Sequence, residues 1–258
     1  ETSIVIRTFN EERYLPGLLE AIRVQDYRDF EIVVVDSGSF DRTRDIAKPY
    51  ADKVLRIESD DFTFGYSLNV GVRASEGRYA AIVSAHTKPL DENWLGKLVR
   101  SLSDDNAAMV YGRQVGWETS KFGDTLDLER TYGPDRRILK PPEFFANNAN
   151  SAIRKDLWEQ HPFDEALTGL EDIEWARHWM QQGYYVAYEP GAAVYHIHEE
   201  SWPQVRRRYY REAFAAKAIG VQRPRQLPFE AVKEGKRFAE DIYHATRKGE
   251  ISRKLPEI

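Results

Sequence analysis

Apolar residues in the first hundred positions come in short unbroken runs, separated by stretches of helical spacing. The runs are Ser3-Ile-Val-Ile6, Phe30-Glu-Ile-Val-Val-Val35, Val54-Leu-Arg-Ile57 and Tyr79-Ala-Ala-Ile-Val83. Near-continuous apolar runs of this length read as strands buried on both faces, the signature of a parallel sheet. Between the first two, Leu15, Leu18, Leu19 and Ile22 recur at three- and four-residue intervals and predict a helix over 15–25. Segments 41–50 and 67–75 read as two more helices, the second closed by Gly77. Strands alternating with helices imply right-handed crossovers, with ligands at the carboxyl ends of the strands.

The second half has a different texture. A helix is predicted over 94–102 and a strand over 108–111, but from Trp117 to Asn150 the periodicity fades and the pair Pro141-Pro142 appears. A long irregular stretch in a compact domain is more often a substrate loop than a spacer. A strand over 151–153, a helix over 171–182 ended by Gly183, and strands over 185–188 and 193–195 follow. The helix predicted over 202–219 carries Arg206, Arg207, Arg208, Arg211 and Lys217, and a further helix is expected over 229–248. The chain thus divides into an α/β domain over 1–219 and a basic helical extension over 220–258.

Bulk composition narrows the function classes. A length of 258 residues fits one large α/β domain. With 41% hydrophobic and 31% charged residues the pattern is that of a soluble globular chain. A net charge of −5 argues against nucleic-acid binding through phosphate contacts. The absence of cysteine excludes a disulfide frame, a thiolate nucleophile and a Cys-based zinc site. No apolar run approaches the roughly 18–20 residues that span a bilayer.

The polar residues that could do chemistry gather at strand ends. They are Thr8-Phe9-Asn10-Glu11-Glu12, Asp36-Ser37-Gly38-Ser39 and Ser84-Ala85-His86. None of these contains a G-x-G-x-x-G or a P-loop, so phosphate cradles of those types are disfavoured. Carboxylates at two strand ends could instead bind ribose hydroxyls or a base edge, although an Asp in a turn also has a structural reading. Glu171-Asp172 stands at a helix start, where it suits either the helix dipole or a general base. His196 and His198 are two residues apart, which puts both on one face of a strand. Of six histidines, three (His86, His196, His198) fall at strand ends, which favours a metal reading.

Taken in order with Phe64-Gly65-Tyr66-Ser67-Leu68-Asn69-Val70-Gly71, Gly112-Arg113-Gln114 and the segment Phe145 to Arg154, these clusters resemble the family 2 nucleotide-sugar glycosyltransferases. The resemblance is closest to their rhamnosyltransferase-like bacterial branch and runs from residue 2 to about residue 215. It implies a GT-A fold: a Rossmann-like, mostly parallel central sheet flanked by helices. It also implies a nucleotide-diphosphate sugar donor, a divalent metal and inversion at the anomeric carbon. By the same resemblance Thr8, Glu11 and Asp36 match the base and ribose pocket, and Asn69 lies in the segment that closes over the nucleoside. Asp172 matches the catalytic base, with Glu171 beside it, and His196 or His198 reaches the metal or diphosphate. The acceptor would be a carbohydrate or a lipid-linked sugar, in a pocket shaped by the segment 117–150 and by Arg113, Trp117 and Asn148. Such an enzyme is expected in the cytoplasm; the basic helix Arg206–Lys217 reads as meeting the inner face of the membrane, as turning its arginines toward the diphosphate, or as a solvated basic face.

Ser84 and His86 stand where the family has Asp-x-Asp, whose last carboxylate holds the metal. Three readings follow. His86 ligates the metal in place of a carboxylate, which favours Mn²⁺ over Mg²⁺ because imidazole suits borderline ions. Alternatively no metal is needed, and His86 donates directly to the diphosphate. In the third, the chain is an inactive sugar-nucleotide binding protein with a degraded metal motif. The retention of Asp172, His196 and His198 favours a working site.

Overall fold

Among the described residues nine strands join into one sheet, in the order β3 (Lys53–Arg56), β2 (Phe30–Asp36), β1 (Thr2–Thr8), β4 (Tyr79–Ser84), β8 (Asn150–Arg154), β6 (Ala107–Gly116), β9 (Tyr185–His196) and β5 (Thr87–Pro89), with β7 (Arg137–Leu139) paired to β9. The computed structural model describes residues 1–197, 199–221, 227–247 and 254. The first half is the parallel one that the apolar runs predict: β1 (Thr2–Thr8), β2 (Phe30–Asp36), β3 (Lys53–Arg56) and β4 (Tyr79–Ser84) pair in parallel. The helices α1 (Leu15–Arg23), α2 (Thr43–Ala47) and α3 (Phe64–Ala74) connect them. Alternate residues of β1 feed different cores. Ile4 and Ile6 pack with Leu15, Leu18, Leu19 and Ile22 of α1, whereas Val5 packs with Leu68 and Val72 of α3. That is why both faces had to be apolar. Gly71 lets α3 lie close to the sheet: a Cβ there would come within 2.5 Å of Val5 and 3.0 Å of Val35.

The second half is mixed. β8 (Asn150–Arg154) runs antiparallel to β4, and β6 (Ala107–Gly116) antiparallel to β8. β9 (Tyr185–His196) is parallel to β6, while β5 (Thr87–Pro89) and β7 (Arg137–Leu139) are antiparallel to β9. Between β5 and β6 lies α4 (Trp94–Ser101); α6 (Lys155–Gln160) and α7 (Glu171–Gln181) precede β9.

Two sequence expectations change. The segment 117–150 is not irregular throughout, since it holds α5 (Phe122–Thr131) and β7. Phe122 is the one buried residue of α5, so the helix carries too little apolar periodicity to be read. The strands expected over 185–188 and 193–195 are one strand, β9, that continues through Pro190-Gly191 opposite a register shift in β6 between Gly112 and Gln114. Beyond them come α8 (Trp202–Ala218) and α9 (Leu227–Arg247), and α9 is tied back to α5 by an Arg130–Asp241 ion pair. Among the described residues no helix is long and apolar enough to cross a membrane.

One buried amide joins the two halves. Asn150, fully buried, accepts from Trp94 Nε1 at 2.8 Å and donates to the carbonyls of Ala192 at 2.8 Å and Arg113 at 3.1 Å. It thereby ties α4, β6 and β9 to the start of β8. Asn150→Ala strands one donor and two acceptors in the core, each worth roughly 1–3 kcal/mol when left unpaired. Urea denaturation should show a loss of roughly 2–5 kcal/mol, and a loss below about 1 kcal/mol would contradict this role.

Candidate functional site

Parallel register brings the ends of β1, β2 and β4 to one edge, with Thr8 level with Asp36 and Arg7 level with Ser84. Above this edge opens a cavity of about 1000 Å³. Its walls come from the loop after β1, the end of β4, α5, the segment before β8, the start of α7, the end of β9, and α8.

At one side the carboxylate pair stands at the N-terminus of α7. Leu170 takes a left-handed conformation (φ +59°), so the chain turns abruptly and places Glu171 and Asp172 in the first turn. Both are buried. Asp172 accepts from the backbone N–H of Asn148 at 3.0 Å and of Ile173 at 2.8 Å, and Asn148 Nδ2 lies 3.4 Å from Glu171 Oε1. Burial and the neighbouring Glu171 charge push the Asp172 carboxyl up to about 7, against the pull of those N–H groups and of Arg7. A carboxylate that holds its proton near neutral pH is matched to taking one from a hydroxyl.

On the opposite side two imidazoles lie face to face, His86 on His196, with centroids 5.1 Å apart and planes within 9°. The β5–β9 ladder makes this pair. Thr87 is level with His196, and the N–H of Ile197 donates to the His86 carbonyl at 3.0 Å. His86 Nδ1 is 2.8 Å from Glu11 Oε1, and His196 Nδ1 is 2.5 Å from Gln114 Oε1. Gln114 Nε2 in turn lies 2.8 Å from Tyr132 Oη. The Glu11 carboxylate accepts, so the Nδ1 of His86 carries the proton, and in its neutral ring the lone pair lies on Nε2. Among the described residues no three His, Asp or Glu side chains converge into a metal-ligand group.

The other expected residues are distributed unevenly. Glu11, Ser84 and Asn148 line the cavity. Thr8 and Asp36 lie behind its wall: the fully buried Asp36 accepts from the N–H groups of Gly38 and Ser39 at 3.2 and 3.0 Å and holds the turn after β2. Thr8 Oγ1 is 3.4 Å from Asp36 Oδ1. Asn69 does not reach the cavity. It is buried, donates to Phe163 O and Glu165 Oε1, and accepts from Trp158 Nε1 and the N–H of Phe163, so its amide is fully engaged in fixing α3 to residues 158–165. Arg113 and Trp117 also lie off the cavity; the Trp117 ring packs edge-on against Tyr195. His198 lies outside the described residues.

The sequence reading passed over Arg7 and placed Arg211 only as one cation of the basic helix. Both line the cavity, and both guanidinium groups lie over the Phe64 ring, at 4.8 and 4.7 Å from its centroid. The only signal for Arg7 was one cation near the end of an otherwise apolar strand. Asp124 and Glu212 were missed too. They face the cavity from α5 and α8, and burial raises the affinity of both for a proton.

Residues 3–161 match the model of glycosyl transferase family 2. The O-antigen chain rhamnosyltransferase RfbN of Salmonella typhimurium is 27% identical over 219 residues, covering 81% of this chain and 70% of that protein. The O-antigen chain rhamnosyltransferase WbaN of Salmonella anatum is 26% identical over 200 residues, covering 74% of this chain and 64% of that one. The chain thus spans about two thirds of the length of these curated relatives. Among solved structures, Staphylococcus aureus TarS 1-349 in complex with UDP-GlcNAc superposes with a TM-score of 0.61 at 18% identity, over 78% of this chain and 59% of that one. The mannosyltransferase PcManGT from Pyrobaculum calidifontis, in complex with GDP-Man and Mn²⁺, gives 0.65 at 20% identity, over 99% of this chain and 73% of that one. These likenesses show the fold, a GT-A arrangement of a mixed, curled sheet flanked by helices.

The raised Asp172 carboxyl makes a stability prediction. The folded chain holds that proton up to about 7, whereas the unfolded chain releases it near 4. Between those values the folded state binds more protons, so this group's contribution to stability falls as pH rises. Asp172→Asn removes the titration. Its unfolding free energy should therefore gain on that of the parent chain between about pH 4.5 and about pH 7.5. An unchanged difference at the two pH values would show that the carboxyl titrates normally.

Proposed function

The chain belongs to glycosyl transferase family 2, and on that premise we propose that it moves a sugar from a nucleotide-diphosphate donor to an acceptor hydroxyl with inversion. The observation that carries this is the buried Asp172 carboxylate at the N-terminus of α7, poised near neutral pH on the cavity above the strand ends. In a single displacement Asp172 takes the proton of the acceptor hydroxyl as its oxygen attacks the anomeric carbon. The bond from that carbon to the diphosphate oxygen breaks, and the diphosphate leaves with the electron pair. Glu171 serves by its charge, which strengthens Asp172 as a base. Arg7, close enough to lower the Asp172 carboxyl, keeps the pair from trapping its proton permanently.

The donor is read against the loop after β1 and the end of β4, at Glu11 and Ser84, with Thr8 and Asp36 holding the turns behind them. The acceptor enters between α5 and α8, where Tyr132, Asp124, Tyr209 and Glu212 line the wall. The named activities of the Salmonella relatives support a bacterial polysaccharide or glycolipid acceptor, handled at the cytoplasmic side of the membrane. A divalent ion of borderline character, such as Mn²⁺, fits the donor set. His86 and His196 would hold it, because the Nδ1 of each is oriented by a second side chain, as in metal-ligating histidines. When bound, such an ion offsets charge on the leaving diphosphate. The same pair admits a metal-free reading, in which an imidazolium at His86 keeps Glu11 and donates from Nε2 to the diphosphate.

Two measurements test the proposal. Asp172→Asn should lower turnover roughly 10²- to 10⁴-fold, the usual reach of general-base catalysis, while donor affinity is kept. Near-parental turnover would remove Asp172 from the role. A thermal-shift screen of UDP-, GDP-, dTDP- and CMP-sugars with and without Mn²⁺ identifies the donor. With that donor's nucleoside diphosphate, His86→Ala should weaken binding in Mn²⁺ and leave it unaltered in EDTA. Equal affinity of the parent chain in Mn²⁺ and EDTA would favour the metal-free reading.

A further inference from the structure

α8 has two unlike faces. Gln204, Arg208, Arg211 and Glu212 turn to the cavity, and Val205, Ala215 and Ala216 are buried. The outer face carries Trp202, Arg206, Arg207, Tyr210, Phe214 and Lys217, all exposed. At 3.6 residues per turn these six lie within an arc of roughly 140° along roughly 22 Å of helix. Trp202, Tyr210 and Phe214 are 51%, 68% and 58% exposed, and the last two rings are in contact at 5.1 Å. The single acid of α8, Glu212, is on the other side. In a chain of net charge −5, this is an acid-free stripe of three aromatic rings interleaved with three cations.

We propose that this face of α8 docks on an anionic lipid bilayer, the aromatic rings entering the interfacial layer and Arg206, Arg207 and Lys217 meeting the headgroups. The pattern is that of a helix lying in the interface plane: aromatic residues that bury at headgroup depth, with cations that the negative surface attracts. A second copy of the chain is a poor occupant. A two-fold contact through this stripe would set cations against cations, with no acid on the face to pair them. Because the opposite face of α8 lines the cavity, docking sets the cavity about one helix diameter, roughly 10 Å, above the headgroups. An acceptor carried on a lipid would meet the site there. The inference rests on the surface of α8 alone, so it stands or falls separately from glycosyl transfer.

The test is co-sedimentation of the full chain with vesicles of phosphatidylcholine alone and of phosphatidylcholine with phosphatidylglycerol. Binding is expected to the anionic vesicles, weakening as salt is raised. The triple variant Trp202→Ser, Tyr210→Ser, Phe214→Ser should lose at least roughly tenfold in affinity, since the three rings carry the apolar surface that docking buries. Arg206→Gln with Arg207→Gln should flatten the salt dependence. Circular dichroism melts and donor binding by both variants control for folding. Failure of the parent chain to bind anionic vesicles, or undiminished binding by the triple variant, overturns the proposal. So does a parent chain that ignores vesicles but dimerises through this face on size exclusion.

Discussion

Three consecutive residues at the entry to β8, Asn148 to Asn150, set the geometry on which the site depends. Asn150 is locked into the core by Trp94, Arg113 and Ala192. One residue earlier, the Ala149 carbonyl accepts from the N–H of Ser84, at the end of β4. One earlier again, the N–H of Asn148 donates to Asp172 and its side-chain amide approaches Glu171. The segment thus fixes the strand end that leads to His86 on one side and the start of α7 on the other. Backbone groups held by a sheet are stiff donors and acceptors, and such rigidity keeps reacting groups aligned without reorganisation. The burial of the acidic pair holds the Asp172 proton to near neutral pH, against the pull of the Asn148 N–H.

The histidine pair depends on a different joint. His86 follows a parallel strand and His196 ends a strand from the far half of the sheet, 110 residues later in the chain. Only the short β5 segment, reversed onto β9, brings them face to face. Each ring is then oriented by a second group, Glu11 from the loop after β1 and Gln114 from β6. Four strands, β1, β4, β6 and β9, therefore contribute to one corner of the cavity. A histidine at the position of an expected aspartate is thus part of a built arrangement.

The legible parts of this chain are those where one local pattern has one structural outcome. Strands β1, β2 and β4 were readable because burial on both faces leaves only apolar residues. The α5 helix was not, because it needs one anchor, Phe122, while residues such as Asp124, Asp127 and Leu128 line the cavity. In the site, Glu11, His86, Asp172 and His196 were visible as polar residues at strand ends and a helix start. Asn69 shows the limit: an asparagine in a motif-like segment reads as a ligand group, yet its four hydrogen bonds all go to residues 158–165, distant in sequence. Arg7 shows the converse. Its role comes from packing over Phe64 and from the acids of α7, neither of which is near it in sequence.

Charge in the cavity bears on how a diphosphate could enter it. Among the described residues its walls carry ten acids and four arginines. Some of that excess is already neutralised. Arg13 pairs with Glu199, Arg208 with Glu200, and Asp172 keeps its proton to about 7. Arg7 and Arg211 remain on the cavity wall, against Glu11, Asp41 and Glu171 among others. A group carrying two or more negative charges would meet net repulsion at short range, and at an effective dielectric of about 20 each uncompensated pair 5 Å apart costs roughly 3 kcal/mol. A neutral imidazole does not offset this, and a single imidazolium does so only in part. A divalent cation arriving with the diphosphate reverses the sign of the interaction and turns the acidic walls from an obstacle into an attraction. The electrostatics of the cavity thus favour the metal-dependent reading of His86 and His196 over direct donation by His86 alone.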